Sequence, residues 1–170
     1  MKTGCFLLCF LLAVISAETQ KISRADKLAE NEKAFQEVQQ LIAGRHFQIE
    51  INRVHPQDGF DVSRFNPTGN ISVSDSIARG HLPFFGRAYS LPYGDNVGID
   101  FDDVMKNVAV KTVKKRKGKV AVMSFSVRGN RDVYQVTIEA NSRGGCSVNL
   151  YSNNRAPISY GGTIVSEGEE

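Results

Sequence analysis

Histidines and acidic residues are the side chains of this sequence that could support acid–base or metal chemistry. The histidines are His46, His55 and His81. Their spacing matches neither H-x-x-x-H nor H-E-x-x-H, which place two imidazoles on one helix face, and the chain has no C-x-x-C pair. His46 continues the solvent-facing phase of a strand, and His55 precedes a proline at that strand's end. We therefore expect ordinary surface or partly buried histidines, with a metal site as the alternative and no cofactor.

The segment GIDFDD concentrates Asp100, Asp102 and Asp103, which would suit calcium, but it lacks the central glycine and final glutamate of the EF-hand loop. Phe101 and Val104 are predicted to be core anchors, so the acids mark a strand end and a turn. The sequence contains neither G-x-S-x-G nor a glycine-rich phosphate loop. Because no nucleophile, base and stabiliser can be assigned, we predict a protein that is not an enzyme, with a hydrolase as the less favoured option.

The run KKRKGK is the one strong charge cluster of the chain. We predict an exposed hairpin tip with Gly118 in its turn, and the alternative is a peripheral contact with anionic lipid headgroups or other phosphates. The cluster comprises Lys114, Lys115, Arg116 and Lys117. Since Lys and Arg total 21 against 18 Asp and Glu, the whole chain lacks the strongly basic field of nucleic-acid binders, and no nucleic-acid partner is expected.

An aromatic segment without alternation, LPFFGRAYSLPYG, is the best candidate site. Aromatic rings beside an arginine on a loop are typical of ligand pockets and of protein-interaction hot spots. The candidate binding residues are Phe84, Phe85, Arg87, Tyr89 and Tyr93. The other interpretation is that this long loop folds over an open barrel end and its rings plug the core.

Residues 1–17 have the pattern of a secretory signal peptide, with a positive charge followed by the apolar run Cys5–Ile15. That run is about half of the ~20 residues that a membrane-spanning helix needs. Small residues precede the predicted cleavage site between Ala17 and Glu18. We therefore expect export to the periplasm or outer envelope.

Cys146 then remains as a single cysteine, so the mature fold has no internal disulfide.

The spacing of apolar residues predicts one helix over residues 18–44, with Gly44 as its stop residue. Its apolar stripe comprises Ala25, Leu28, Phe35, Val38, Leu41 and Ile42. From residue 45 to 166 the apolar period is two, which predicts an antiparallel meander of about eight strands. Closure removes exposed edges, so we expect a lipocalin-like barrel, with a β-sandwich as the alternative. Residues 167–170 form a predicted disordered tail.

Two turns allow a strand register to be predicted. A two-residue turn at Gly129-Asn130 would place Phe125 opposite Tyr134 and Met123 opposite Val136. The three-residue connection Ser142-Arg143-Gly144, with glycine at its left-handed position, would set the register of the next pair of strands. It places Ala140 opposite Cys146, Ile138 opposite Val148 and Val136 opposite Leu150. Cys146 would then be a buried structural thiol.

The aromatic segment, Asn70, the run SNNRAPISYGG and the signal-like start together resemble one family. It is a family of exported proteins from Bacteroidetes catalogued as a domain of unknown function. The resemblance covers essentially the whole mature chain. It implies a single envelope-located β-domain of lipocalin-like fold, and it implies no catalytic residues.

Two functional hypotheses follow. The first is an envelope binding module that holds an apolar or amphipathic ligand, or docks a protein partner, near the aromatic segment. A ligand would occupy a cavity lined by residues such as Phe47, Ile49, Phe125 and Tyr134. The second is a structural or stress-related envelope protein whose barrel is solid.

Overall fold

The chain divides into two compact units, Met1–Ala34 and Phe35–Glu170. In the first unit, the described residues 26–34 are helical, and the second unit holds the remaining helical residues and the sheet. The computed structural model describes residues 26–57, 59, 62, 67–89, 98–116, 118–130 and 132–166.

Several predictions fall outside these ranges: the signal peptide with its cleavage site at Ala17 and Glu18, the helical residues 18–25, the tail 167–170, and the candidate site residues Tyr93 and Lys117. Within the ranges that are described, no helix combines the length and the apolar character needed to cross a membrane.

Helix α1 covers the described residues 26–44. Phe35, Val38 and Ile42 of the predicted stripe are buried, whereas Leu28 is 70% exposed. The helix ends at Gly44, and the left-handed residue is the next one, Arg45, with a φ of 56°, rather than Gly44. Two backbone hydrogen bonds hold Arg45 there, since its N–H donates to Leu41 O over 3.1 Å and its own carbonyl accepts from the N–H of Asp75 at 2.9 Å.

The sheet confirms the mainly β, lipocalin-like prediction, with nine strands where the sequence predicts about eight. All its strand pairs are antiparallel, and the order is β4-β3-β2-β1-β9-β8-β7-β6-β5. The strands are β1 His46–Pro56, β2 Gly69–Ser74, β3 Ile77–Leu82, β4 Ile99–Val104, β5 Lys106–Lys115, β6 Gly118–Arg128, β7 Val133–Asn141, β8 Gly145–Tyr151 and β9 Ile158–Ser166.

The sheet curls into a half-barrel because its two ends meet at one point. β4 and β5 are consecutive in the chain and are separated by Met105 alone. Phe101 of β4 forms an isolated bridge with Gly129, just beyond the end of β6. This bridge brings β4 against the end of β6, so the curl of the sheet continues from one edge to the other.

Alternate residues of most strands face one continuous core, as the period of two predicts. The interior is closely packed: Phe47 and Ile49 are 0% exposed, and Phe125 and Tyr134 are 3% exposed. The largest fully buried side chain is that of Tyr160, whose hydroxyl donates a hydrogen bond to Pro83 O over 3.0 Å. A buried hydroxyl with a partner avoids the cost of a lost hydrogen bond.

The predicted register of β6 and β7 is wrong by two residues. Phe125 lies opposite Val136, and Val127 lies opposite Tyr134. The N–H of Gly129 donates to Asp132 O at 2.9 Å, so Gly129 is paired with Asp132 instead of being the first loop residue of the predicted turn. A shift of two preserves which face each residue occupies, so the apolar face predicted for both strands is still buried.

The predicted register of β7 and β8 is confirmed in each of its three pairs. Gly144 has a φ of 76°, the left-handed conformation that its position in the loop requires. Cys146 is buried on the core face as predicted, and burial raises the pKa of its thiol to about 12.

Strands β1 and β9 approach closely at Gly162. A Cβ added to Gly162 would lie 2.2 Å from the backbone oxygen of Glu50 in the neighbouring strand. At Gly161 the nearest contact would be 3.4 Å, to Arg53 Cβ. The pairing of β1 with β9 shifts register between Ile51 and Arg53. The sequence predicts a bulge or a close backbone approach at this glycine pair, and the structure has both.

Replacing Gly162 with alanine is expected to lower the free energy of unfolding by about 3 kcal/mol, because backbone atoms must move to admit the methyl group. Gly161→Ala is the matched control and is expected to change it by less than ~1 kcal/mol. Urea denaturation followed by circular dichroism measures both. Equal destabilisation by the two substitutions would contradict the close approach.

Cys146 is expected to resist alkylation by iodoacetamide at pH 8 in the folded protein and to react rapidly in denaturant. The thiolate is the reactive species, and burial disfavours it in the folded state. Mass spectrometry of labelled protein follows the reaction. Fast labelling without denaturant would show that the thiol is accessible.

Candidate functional site

The aromatic segment lies beside a second distinctive segment, residues 152–156, and the two are joined by backbone contacts. The N–H of Tyr89 donates to Asn154 O at 2.8 Å, and the N–H of Ala156 donates to Arg87 O at 2.9 Å. Ala88 and Arg155 form an antiparallel bridge between these hydrogen bonds. Both segments are distinctive in the sequence, but no local signal in either one indicates that the two pair.

Within this pair of segments, two phenylalanines belong to the core. Phe84 is 6% exposed, and Phe85 packs partly buried against the core. Gly86 leaves room for the Phe84 ring, because a Cβ there would lie 2.7 Å from that ring. These two rings therefore match the plug interpretation, while Arg87 and Tyr89 are exposed. Tyr93, the remaining aromatic candidate, lies outside the described residues.

Arg155 is a buried charged residue at the centre of this arrangement, with 7% exposure. Its guanidinium carbon lies 5.0 Å from the centroid of the Phe84 ring, a cation–π contact. Burial raises the pKa of Tyr134 and of Tyr160, and the charge of Arg155 opposes that rise in both. One cation is thus held among an aromatic ring and two phenols at the end of the barrel. Arg155 is not among the site residues predicted from the sequence, although it lies in the run SNNRAPISYGG.

A surface depression of about 510 Å³ lies next to the 152–156 segment. It is lined by Arg128, Gly129, Asn130, Asp132, Val133, Asn153 and Asn154. Most of these side chains are polar, which differs from the apolar cavity predicted from the sequence. They come from the β6–β7 connection with the strand ends that flank it, and from the segment after β8.

Asp132 has one carboxylate oxygen that is satisfied and one that is not. Oδ1 accepts from the N–H of Val133 at 2.9 Å and from Asn154 Nδ2 at 3.3 Å. Oδ2 is buried and has no hydrogen-bond partner within the described chain, and the same holds for Ser152 Oγ. Buried polar atoms are nearly always paired, so an unpaired carboxylate oxygen on a residue that lines the depression marks this place as a candidate site. We call Arg87, Tyr89, Asp132, Asn153 and Asn154 the loop-end site.

The basic cluster lies elsewhere, at the opposite end of β6. Lys115 pairs with Gly118 across the β5–β6 turn, so the cluster is a hairpin tip, as predicted. Lys115 Nζ contacts Glu139 Oε2 at 2.5 Å, whereas Lys114 and Arg116 are exposed, and Lys117 lies outside the described residues. β6 has 11 residues, and at a rise of ~3.3 Å per residue the tip lies roughly 35 Å along the strand from the loop-end site.

Two histidines are found next to carboxylates on the outer face of the sheet. His81 Nδ1 is hydrogen-bonded to Asp100 Oδ1, and His46 Nε2 lies 3.0 Å from Asp75 Oδ1. The His81 side chain is 73% exposed, so the pair stands on an open strand surface rather than in a cleft. A histidine–carboxylate pair needs a bound substrate within hydrogen-bond reach to act as an acid or base.

The remaining acids of the GIDFDD segment each have a separate partner. Asp102 Oδ1 lies 3.2 Å from Arg79 Nε, and Asp103 Oδ1 accepts from the N–H of Val104 at 2.7 Å. Among the described residues, no three His, Cys, Asp or Glu side chains are grouped so as to hold a metal ion.

Phe101 is buried as predicted, but Val104 is 50% exposed. The prediction that Val104 is a core anchor is wrong, because Val104 and Asp103 lie on opposite faces of β4 and Val104 is on the outer one.

Comparison with known proteins supplies the family. One family model matches residues 29–164, and it is described as a domain of unknown function (DUF4251). No curated protein matches the sequence. Among solved structures, the chain is similar to a DUF4251 family protein from Bacteroides eggerthii DSM 20697, with 21% identity, a TM-score of 0.49 and coverage of 81% of this chain and 88% of that chain. Since the family match extends over most of the 170 residues, this chain belongs to the DUF4251 family.

Proposed function

We propose that this domain is a non-catalytic binding module of the bacterial envelope that docks a protein partner at the loop-end site. The observation that carries the proposal is the buried, unpartnered Oδ2 of Asp132 in the wall of a depression of about 510 Å³. Asp132 is half-buried and lines the depression, so a small rotation of its carboxylate would let a partner side chain that donates a hydrogen bond, such as a lysine, arginine or asparagine, satisfy this oxygen.

The composition of the site supports a protein partner over an apolar ligand in the interior. Phe47 and Ile49, predicted to line a cavity, are 0% exposed, so no water-sized space borders their side chains. Tyr89, by contrast, is 63% exposed. Tyrosine and arginine are enriched at the energetic centres of protein interfaces because each combines a large contact area with hydrogen-bond donors. Tyr89 and Arg87 provide this combination beside the depression.

A rigid support also favours binding at this position. The backbones of Arg87 and Tyr89 are hydrogen-bonded to the 152–156 segment, and Phe84 is packed beneath Arg155. Side chains presented by an ordered loop lose less conformational entropy when a partner binds. The loop-end site is therefore organised before binding.

The second candidate is a structural or stress-related envelope protein with a solid barrel. The complete burial of the core residues favours it over an interior ligand-binding role. The two candidates differ in what the loop-end site does. A purely structural protein would make no specific contact through Tyr89.

Site-specific photo-cross-linking tests the docking proposal. With p-benzoylphenylalanine at position 89, we expect one discrete adduct in living cells, because the exposed ring position would face the partner. The same probe at Leu28, which is 70% exposed on α1, is the control and should give no such adduct.

Asp132→Asn in the position-89 probe protein is expected to reduce the adduct at least tenfold, since a donor replaces an acceptor beside the partner's donor. Its urea midpoint should stay close to that of the parent. Equal adducts at positions 89 and 28, or an adduct unaffected by Asp132→Asn, would overturn the proposal.

Export is part of the proposal and has its own test. The mature protein is expected in the periplasmic or outer-envelope fraction, with a mass that corresponds to removal of residues 1–17 and an N-terminus at Glu18. Ala17→Arg should slow this cleavage, because signal peptidase requires a small residue there. An intact mass that includes residue 1 would contradict the prediction.

A further inference from the structure

Strand β5 forms one edge of the sheet and is ten residues long. Among the described strands it pairs only with β6. In an antiparallel pair, every second residue directs its N–H and C=O groups towards the partner strand, and the residues between them direct theirs away from it. About half of the β5 residues therefore present backbone donors and acceptors with no strand beside them.

This edge has few of the features that normally prevent strand addition. Its bulge is confined to the start, between Lys106 and Ala109, where Asn107 has a φ of 53°. From Ala109 to Lys115 the pairing with β6 is regular, and this stretch contains no proline. Its residues are mostly exposed, and Val110 is 42% exposed. The positive charge of its lysines is the remaining feature that would prevent strand addition.

The lysines of β5 are arranged mainly on one face. Lys106 and Lys111 lie opposite Ser126 and Val122 of β6, on the face that points away from the core. Lys115 shares that face and contacts Glu139. Within the described chain, Lys106 and Lys111 form no ion pair. A second copy of β5 would place lysines near lysines. Like charges at directly opposed or diagonal positions destabilise a strand pair, so β5 is not expected to pair with itself.

The other edge, β4, is different. It has six residues, and Phe101 already bridges to Gly129 across the sheet ends. Its outward acids, Asp100 and Asp102, contact His81 and Arg79. β4 is therefore short and partly covered, and its charges are satisfied. Of the two edges, β5 is the long and open one.

We propose that β5 binds an extended acidic segment of another protein as an added antiparallel strand. Backbone hydrogen bonds would supply affinity that is independent of sequence, and acidic side chains opposite Lys106 and Lys111 would select the partner and its register. This surface uses none of the residues of the loop-end site, so either proposal stands if the other fails.

The test uses the full mature chain and a ten-residue probe peptide with Glu at alternate positions and Thr or Val between them. Binding is measured by NMR titration of the backbone amides. We expect chemical-shift changes concentrated at residues 106–115 and slower hydrogen exchange of their outward amides. Lys106→Glu with Lys111→Glu should weaken binding at least tenfold, because two attractive cross-strand pairs become repulsive.

Two controls separate strand addition from simple charge attraction. Lys27→Glu with Lys33→Glu makes the same charge change on exposed positions of α1 and should alter affinity by less than twofold. Two further probes carry N-methyl groups on the odd or the even amides. Strand addition predicts that one of them loses binding and the other keeps it, since only one edge of the peptide faces β5.

Three outcomes would overturn the inference. The unmodified probe fails to bind, both N-methylated probes bind equally well, or the shifts lie away from β5. A lipid surface is examined with vesicles of phosphatidylglycerol against vesicles of phosphatidylcholine. Binding to the anionic vesicles that depends on Lys106 and Lys111, without peptide binding, would assign the edge to membranes instead.

Discussion

The pairing of β1 with β9 is the interaction on which the rest of the fold depends. β1 to β4 form one series of neighbouring strands, β5 to β9 form another, and β1–β9 joins them. The two strands are more than a hundred residues apart in the chain, so their pairing carries a loop-closure cost that local hairpins avoid. The absence of a side chain at Gly162 permits the approach, because the Glu50 carbonyl occupies the space of a Cβ.

That pairing also brings the two halves of the loop-end site together. The segment 83–89 follows β3 in the first series, and the segment 152–156 precedes β9 in the second. Once β1 and β9 are paired, the Tyr160 hydroxyl reaches Pro83 O and Arg155 lies over Phe84. The buried cation and its aromatic neighbours then fix the loop against the sheet. The exposed Arg87 and Tyr89 are consequently held by contacts made at long range.

The candidate surfaces divide the molecule by chemistry. The loop-end site combines an aromatic ring, amides and a carboxylate, and β5 offers lysines and free backbone groups. The packed core between them contains side chains that are fully buried, including Met123 and Ile138. A packed sheet holds its rims rigidly, so the two surfaces present fixed geometry to a partner. Function is therefore best sought at the rims of this half-barrel rather than in its interior.

Several features were predictable because a few neighbouring residues encode them. The change from a period of 3.6 to a period of two at residue 45 separates helix from sheet, and Gly144 sets the β7–β8 register through its own left-handed turn. The burial of Cys146 follows from that register. The basic tip follows from the turn at Gly118. The fold class follows from the apolar period of two and from the closure of exposed edges, and the family resemblance implies the same fold.

Other features depended on contacts that no local pattern contains. The β6–β7 register shifted by two because Gly129 bonds to Asp132 and bridges to Phe101 of a distant strand. The pairing of the aromatic segment with residues 152–156, and the unsatisfied oxygen of Asp132, arose only from the folded arrangement. Local sequence determined periods and tight turns, whereas the tertiary structure decided which distant segments meet, since that choice depends on the packing of the whole sheet.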